Sequence, residues 1–403
     1  MSDSQRNKDD KLLAWAVLAL VVVGLIVVYD ASFPSSGFWQ IIKQSAWALV
    51  GLFAYMVGRR LSLITLYRWV PALAIVTLMM MLATYHSPLG IERGGAHRWL
   101  RLGQIGPVEI TLQPAEFGKI VLIMLLARLL CHSNLVSACK PIQDRPLPWL
   151  LAILSVLVAS GVVVGVQKDL GTALVFVGIG VAMLFIAGLP FRWVATLVAV
   201  LTIAGVLLIF HEQYRWQRVV AFTQPFAYMN TIGYQLAHSL MGIGTGGVWG
   251  AGLGLGRAKE FLPAAETDFV FATVAEETGA LGSTAIIALL VLVLWRMFLI
   301  AHKTQTMFLL LLVSGTGTMI ALQSLLNLYV VTGSVPTTGV PLPFISYGGS
   351  SLVSLLFSIG LAQKAASDPM LEHVKGASHA RAARGRGHGR TLVSRREYRR
   401  GVA

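Results

Sequence analysis

Residues 12–29 read LLAWAVLALVVVGLIVVY, eighteen residues with no charge and a single glycine. As a helix, such a run rises ~27 Å at 1.5 Å per residue, close to the ~30 Å hydrocarbon core of a bilayer. Runs of similar character follow at 38–58, 70–85, 114–130 and 147–166, and again at 170–189, 193–210, 269–294, 307–331 and 344–361. Over 403 residues the chain is 56% hydrophobic and 12% charged, with a mean hydropathy of +0.71, too little polar surface to cover a water-soluble globule. The chain is therefore expected to be all-α, a polytopic integral membrane protein of about ten transmembrane helices. One long extracytoplasmic loop, 211–268, joins helices 7 and 8.

Orientation follows from the basic loops, which stay cytoplasmic during insertion. Arg6, Lys8 and Lys11 place the stub 1–11 inside, and an even number of spans returns the C-terminus to the same side. Arg59, Arg60, Arg68, Lys140, Arg145, Arg192, Arg296 and Lys303 all fall on that side too. Three regions result: the stub, a membrane domain over 12–366, and a basic tail over 367–403 expected to be disordered. Much of the formal net charge of +14 sits in that tail, in Lys375, Arg381, Arg384, Arg386, Arg390, Arg395, Arg396, Arg399 and Arg400. Such a tail suits anionic lipid headgroups, and no nucleic-acid partner is expected. The first span lacks a small-residue cleavage site and reads as a retained signal anchor. Cys131 and Cys139 lie in or beside a cytoplasmic loop, where thiols stay reduced, so no disulfide is expected. No Cys/His spacing of the metal-binding kind occurs.

Function is expected in the outer segments, because long loops on a rigid membrane scaffold carry it. In the loop 211–268, Arg215 and Arg218 stand three apart and would share a helical face. Residues 242–256 are dense in glycine; Gly242-x-Gly244-x-x-Gly247 matches a dinucleotide fingerprint only formally, since no strand or βαβ unit surrounds it. Close backbone packing or a turn near a ligand accounts for these glycines better. The loop ends in Phe261-Leu262-Pro263-Ala264-Ala265-Glu266-Thr267-Asp268-Phe269. Thr267 or Asp268 could cap the next helix, or Asp268 could serve as a base at the outer interface. Glu276 and Glu277 lie two turns deeper, where an ionisable group is costly unless paired or facing a wet cavity. Before the fourth span come Gly95-Ala96-His97-Arg98-Trp99-Leu100 and Gln113-Pro114-Ala115-Glu116-Phe117-Gly118-Lys119. Glu116 and Lys119 share a face and neutralise each other, either as a structural pair or beside a substrate cavity. Gln167-Lys168-Asp169-Leu170-Gly171-Thr172 is a tight outer turn. The last outer loop, 333–351, has three prolines and several hydroxyls, Ser346 and Ser350 among them. That composition suggests non-helical backbone lining a cavity.

At His97-Arg98-Trp99, 112–119, 169–172, Gly233-Tyr234-Gln235, Leu262-Pro263, Thr267-Asp268-Phe269, Ala275-Glu276-Glu277 and 336–351 the sequence resembles the SEDS family (shape, elongation, division and sporulation). The resemblance runs from the first span to the tenth. It implies a peptidoglycan glycosyltransferase that polymerises lipid II, and Gly252-Leu253-Gly254, Lys259, Leu262-Pro263, Ala275-Glu276-Glu277 and 341–346 are closer to division-type than to elongation-type members. An elongation polymerase and a lipid II flippase are the alternatives, with a division-protein scaffold as a third class. Asp268 matches the family's essential aspartate and is implied to be catalytic, taking the proton of an acceptor hydroxyl. Arg98, Lys119, Arg215 and Arg218 are candidates to hold the leaving pyrophosphate; Glu116, Glu276, Glu277, Ser346 and Ser350 complete the expected substrate-binding set. A divalent cation, Mg or Mn, could share that charge, and no organic cofactor is expected. Implied partners are a cognate class B penicillin-binding protein transpeptidase, other divisome membrane proteins and membrane lipids, at the septum of a bacterial cytoplasmic membrane. Two departures stand out: Ala264-Ala265-Glu266 replaces the family's usual Glu-Ala-His before Thr267, and Lys168 replaces a common proline before Asp169.

Overall fold

The computed structural model describes residues 10–93, 95–105, 108–131, 146–263, 265–304 and 306–367. Arg6, Lys8, Lys140, Arg145, Cys139 and the basic tail beyond Ser367 lie outside the described residues, and so does the expectation that Cys139 makes no disulfide; Cys131 is a free thiol. Helices dominate. The first three are α1 (Lys11–Ser36), α2 (Trp39–Arg60) and α3 (Leu63–His86), followed by strands β1 (Gly90–Arg93), β2 (Ala96–Ile105) and β3 (Val108–Leu112). Then come α4 (Pro114–Leu130), α5 (Pro146–Gly165), α6 (Leu170–Ile186) and α7 (Phe191–His211). The long loop after α7 holds α8 (Gln213–Thr223), α9 (Tyr234–Gly246) and α10 (Ala258–Phe261), and α11 (Val270–Lys303), α12 (Met307–Val331) and α13 (Gly349–Ser367) complete the chain.

Each of the ten predicted spans falls on a helix. Seven, α1, α2, α3, α5, α7, α11 and α12, are long and apolar enough to cross a membrane. Helices α4 and α6 are shorter, at 17 residues each, and α13 is more polar. The span expected at 344–361 begins later, at Gly349, because 344–348 form a turn in which Phe344 adopts a positive φ. The antiparallel sheet β1-β2-β3 is an addition absent from the sequence reading. Strands β1 and β3 are short, and bulges between Ile91 and Glu92 and between Arg101 and Gly103 break the period-2 pattern that would announce the sheet.

Helix α12 is the most buried of the seven long spans and α7 the least. Small residues let helices approach closely: a Cβ on Gly58 of α2 would stand 2.7 Å from Phe357 O, and one on Gly360 of α13 would stand 2.3 Å from Tyr55 O. At the opposite sequence ends, Arg296 of α11 grips the Asp10 carboxylate (Nη2 to Oδ2, 2.5 Å), and Gln363 of α13 bonds the Asp10 backbone on both sides. The start of α1 and the end of α13 thus share one end of the bundle.

One irregularity shapes the outer half. Gly279 interrupts α11 with φ of +64°, so the helical bonds that Ala280 and Leu281 would give to the carbonyls of Glu276 and Glu277 are not made. The segment after α9 takes all four groups: Ala280 and Leu281 donate to the carbonyls of Gly247 (2.9 Å) and Val248 (3.3 Å), and the carbonyls of Glu276 and Glu277 accept from Ala251 (2.8 Å) and Gly252 (3.0 Å). The kink in α11 and the turn at 247–256 therefore satisfy each other's backbone.

Candidate active site at the outer end of the bundle

Three outer segments converge around Asp268. The first is the stretch between α10 and α11 that carries it. Helix α11 begins at Val270 with Phe269 in the cap position and no side-chain cap, so the Asp268 carboxylate is not spent on a helix end. Its backbone is tied down instead. Asn327 Nδ2 donates to Asp268 O, Ser346 Oγ donates to Thr267 O (2.7 Å), and Tyr347 N donates to Glu266 O (2.7 Å). Among the described residues no hydrogen bond or ion pair engages the Asp268 carboxylate itself.

The second segment is the loop 333–348. Gly339, at φ of +73°, lies against the carboxylate, since a Cβ there would stand 3.4 Å from Asp268 Oδ2. A side chain at that position would strain the backbone and bring its Cβ into contact with the acid. The third segment is the turn 167–172. Asp169 caps α6 by accepting from Thr172 N (3.0 Å), and a Cβ on Gly171 would stand 2.5 Å from Thr338 O, so the second and third segments are in contact.

Two arginines reach this junction. Arg98, on β2, spans the third segment: Nη1 lies 3.3 Å from Asp169 Oδ2, Nη2 donates to Lys168 O (3.1 Å) and Nε to Gln167 O (3.3 Å). Lys168 has φ of +50°, which a proline ring cannot adopt, so the departure noted at this position gives a turn whose carbonyls face Arg98. Arg218, on α8, donates to Thr337 O (2.7 Å) and to the Tyr214 hydroxyl, and its guanidinium stacks over the Tyr214 ring at 4.6 Å.

These surroundings set the acidity of Asp268. Burial is the largest influence and raises its pKa, and Asp169 and Glu266 add to the rise; Arg98 and Arg218 oppose it, leaving the group at about 6 instead of the ordinary 3.8. An unengaged carboxylate with that pKa accepts a proton more readily than a normal aspartate and is still largely ionised at neutral pH.

Of the residues singled out in the sequence, Asp268, Arg98 and Arg218 come together here. Arg215 does not, because its guanidinium donates to Leu208 O at the end of α7 (3.0 Å). Glu116 and Lys119 form a buried pair within α4 (2.6 Å). Glu276 and Glu277 serve the outer turn: Glu276 accepts from the backbone of Arg257 (3.0 Å) and Ala258 (2.8 Å), and Glu277 from Gly254 (3.1 Å), Gly256 (3.2 Å) and Lys259 Nζ (2.8 Å). Lys259 also bonds Asp30 of α1 (2.6 Å). Ser346 links Leu342 N to Thr267 O, and Ser350 accepts from Gln113 N (3.0 Å), so both hydroxyls hold backbone near the site. Asn327 went unnoticed in the sequence reading, although a lone asparagine in the apolar run 307–331 is a signal of its own. Asp169 belongs to a turn and to the resemblance at 169–172, and neither assigns it a role at the site.

A bundle of apolar helices with an acid and two arginines gathered at one end defines a polytopic membrane protein with a site at the membrane face. The profile of the FtsW/RodA/SpoVE cell cycle protein family matches residues 11–369, and the chain belongs to that family, the SEDS proteins. A probable peptidoglycan glycosyltransferase FtsW from Thiomicrospira cyclica is 40% identical over 371 residues, covering 87% of this chain and 90% of that protein. Stage V sporulation protein E of Bacillus subtilis is 32% identical over 368 residues, covering 89% and 97%. Among solved structures, a peptidoglycan synthase complex that coordinates polymerization and crosslinking contains a chain with a TM-score of 0.73 at 28% identity, covering 89% of this chain and 97% of that one. Thermus thermophilus RodA, a rod shape determining protein, gives 0.64 at 27% identity, with coverage of 89% and 96%.

Proposed function

We propose that this protein is a division-type peptidoglycan glycosyltransferase that joins lipid II units into glycan strands, with Asp268 as its general base. The observation that carries the proposal is the unengaged Asp268 carboxylate, with its raised pKa, between Arg98 and Arg218. In the reaction, the 4-hydroxyl of an acceptor GlcNAc attacks the anomeric carbon of a donor MurNAc. The new C–O bond forms as the bond to the pyrophosphate breaks, the hydroxyl proton passes to Asp268, and undecaprenyl pyrophosphate departs with the bonding pair. Arg98 and Arg218 are the cations placed to meet that charge.

A divalent cation, Mg or Mn, could share the charge on the leaving pyrophosphate with these arginines. Among the described residues, no group of three or more His, Cys, Asp or Glu side chains comes together so as to hold a metal ion. Asp169, a second carboxylate whose charge acts on Asp268, is already taken by Arg98 and Thr172 N. The residues present do not build a cation site unaided, so no step is assigned to one.

Location and partners belong to the same reading. Asp10, Arg296 and Gln363 put both ends of the membrane domain on one side, and Arg59, Lys303 and Lys364 at helix ends agree with a cytoplasmic assignment. The relatives named FtsW support a septal role, and the synthase complex supports a penicillin-binding transpeptidase as partner.

The test is polymerisation of lipid II by purified protein in vesicles, with the partner transpeptidase present. Asp268→Asn is expected to lose ~10²- to 10⁴-fold in rate while remaining folded. Wild-type activity in that variant, or lipid II translocation without glycan product, would sink the proposal.

A further inference from the structure

The outer turn 247–256 exposes large apolar side chains where a water-facing loop would be polar: Trp249 is 81% exposed, Leu253 70% and Leu255 71%. Two ionic clusters show the level at which they lie. At one end of the α1 and α11 pair, Arg296 binds Asp10; at the other, Lys259 binds Asp30 and Glu277. Asp30 is twenty residues along from Asp10, a rise of ~30 Å, and Glu277 is nineteen back from Arg296, ~28 Å. Residues 12–29 and 278–295, between the clusters, hold no charge at all. The two clusters therefore bracket a slab with the thickness of a bilayer's hydrocarbon core.

The turn sits at the outer face of that slab. Gly247 and Val248 bond Ala280 and Leu281, just inside Glu277, and Gly254 lies beside Asp30. Its exposed side chains continue the exposed apolar surfaces of both spans, represented by Leu18, Val22 and Ile26 on α1 and by Leu281, Val291 and Phe298 on α11. Aromatic residues cluster at both levels, Trp15 and Trp295 near the inner cluster and the Tyr29, Phe33 and Phe38 group near the outer one, as at membrane interfaces. The turn is also equipped to leave water in part of its backbone, because the carbonyls of Glu276 and Glu277 accept from Ala251 and Gly252 and the Glu277 carboxylate accepts from Gly254 and Gly256.

We infer that residues 247–256 form a membrane-contacting hairpin whose tip, Trp249, Leu253 and Leu255, inserts into the outer acyl-chain boundary of the bilayer. The segment annexed to the long outer loop is then a lipid anchor. Asp268, nine residues N-terminal to Glu277, stands on the outer side of that slab, at a height set by the staple between residues 257–259 and 276–277.

Spin labels test this directly. Leu253→Cys and Leu255→Cys are made separately in a background with Cys131→Ser and Cys139→Ser, labelled with a nitroxide, and reconstituted in phosphatidylethanolamine and phosphatidylglycerol vesicles. Collision with oxygen is compared with collision with a water-soluble nickel chelate, using Val22→Cys as the lipid standard and Glu92→Cys on β1 as the water standard. The expected ratio of oxygen to nickel accessibility at 253 and 255 is several-fold above that at 92 and below that at 22, which lies ~12 Å deeper in the slab. A ratio equal to that at 92 overturns the inference. So does water accessibility in vesicles that is lost only when the partner transpeptidase is added, which would make the tip a protein-docking face.

Discussion

Asn327 donates from its amide nitrogen to the carbonyl oxygen of Asp268 at 2.8 Å and to that of Val340 at 2.9 Å. One buried side chain on α12 thus sets the spacing between the proposed base and the loop whose Gly339 lies against it. Asn327→Ala leaves two carbonyls unpaired, at ~1–3 kcal/mol each. It is expected to lower kcat by about tenfold to a hundredfold through misplacement of the base, with little change in KM. Steady-state polymerisation kinetics read both constants, and a rise confined to KM would assign Asn327 to substrate binding instead.

The raised pKa of Asp268 predicts an acid limb in the rate profile. The carboxylate works as a base only when ionised, so kcat/KM should fall about tenfold per pH unit below about 6. Arg218→Gln removes a charge that favours the ionised form and should move the limb to higher pH. The sign for stability is opposite to that of a salt-bridged acid. A folded-state pKa above 3.8 means that ionisation costs stability; the cost is absent below pH 3.8, grows between 3.8 and about 6, and is full above. Asp268→Asn should therefore melt higher than wild type at pH 7.5 and equally at pH 3.8, as measured by thermal denaturation in detergent.

Much of this architecture is legible in the sequence because the bilayer imposes one simple rule. The runs at 12–29 and 307–331 announce helices through length and apolarity alone. Asp268 is legible as a charge next to such a run, Arg218 through its spacing from Arg215, and Arg98 through the motif His97-Arg98-Trp99. What stays hidden depends on tertiary contact. Glu276 and Glu277 look like buried functional acids until the turn 254–259 is seen donating to them. Arg215 and Arg218 look equivalent at three residues apart, and only the paths of α7 and of the loop at Thr337 separate them.

The Glu116 and Lys119 pair offers a test of charge burial. Both side chains are almost fully buried, and Glu116 Oε2 has no hydrogen-bond partner among the described residues. Lys119→Met would strand a carboxylate and is expected to cost ~3–5 kcal/mol, whereas the double variant Glu116→Leu, Lys119→Met should recover most of that loss. Melting temperatures of the three proteins decide the matter. Equal losses in the single and double variants would mean that the charges interact with more than each other.

The formal glycine fingerprint at 242–247 can be resolved glycine by glycine. Gly244 lies within α9, and a Cβ there would meet nothing within 4 Å. Gly244→Ala should therefore stabilise the protein by ~0.5–1 kcal/mol through its helical preference, with polymerisation intact. A nucleotide-binding glycine could not be replaced so freely. Gly256 is the opposite case, since its Cβ would stand 2.7 Å from Glu277 Cγ, 2.8 Å from Glu277 Oε1 and 2.9 Å from Glu276 Oε2. The two glutamates cannot retreat without releasing the backbone of 254–258 and the bond to Lys259. Gly256→Ala should thus destabilise the protein and lower kcat together, because the staple it opens closes the loop that carries Asp268. Thermal melts and polymerisation assays on the two alanine variants should move in opposite directions in stability; loss of activity in Gly244→Ala would restore the ligand-binding reading of the motif.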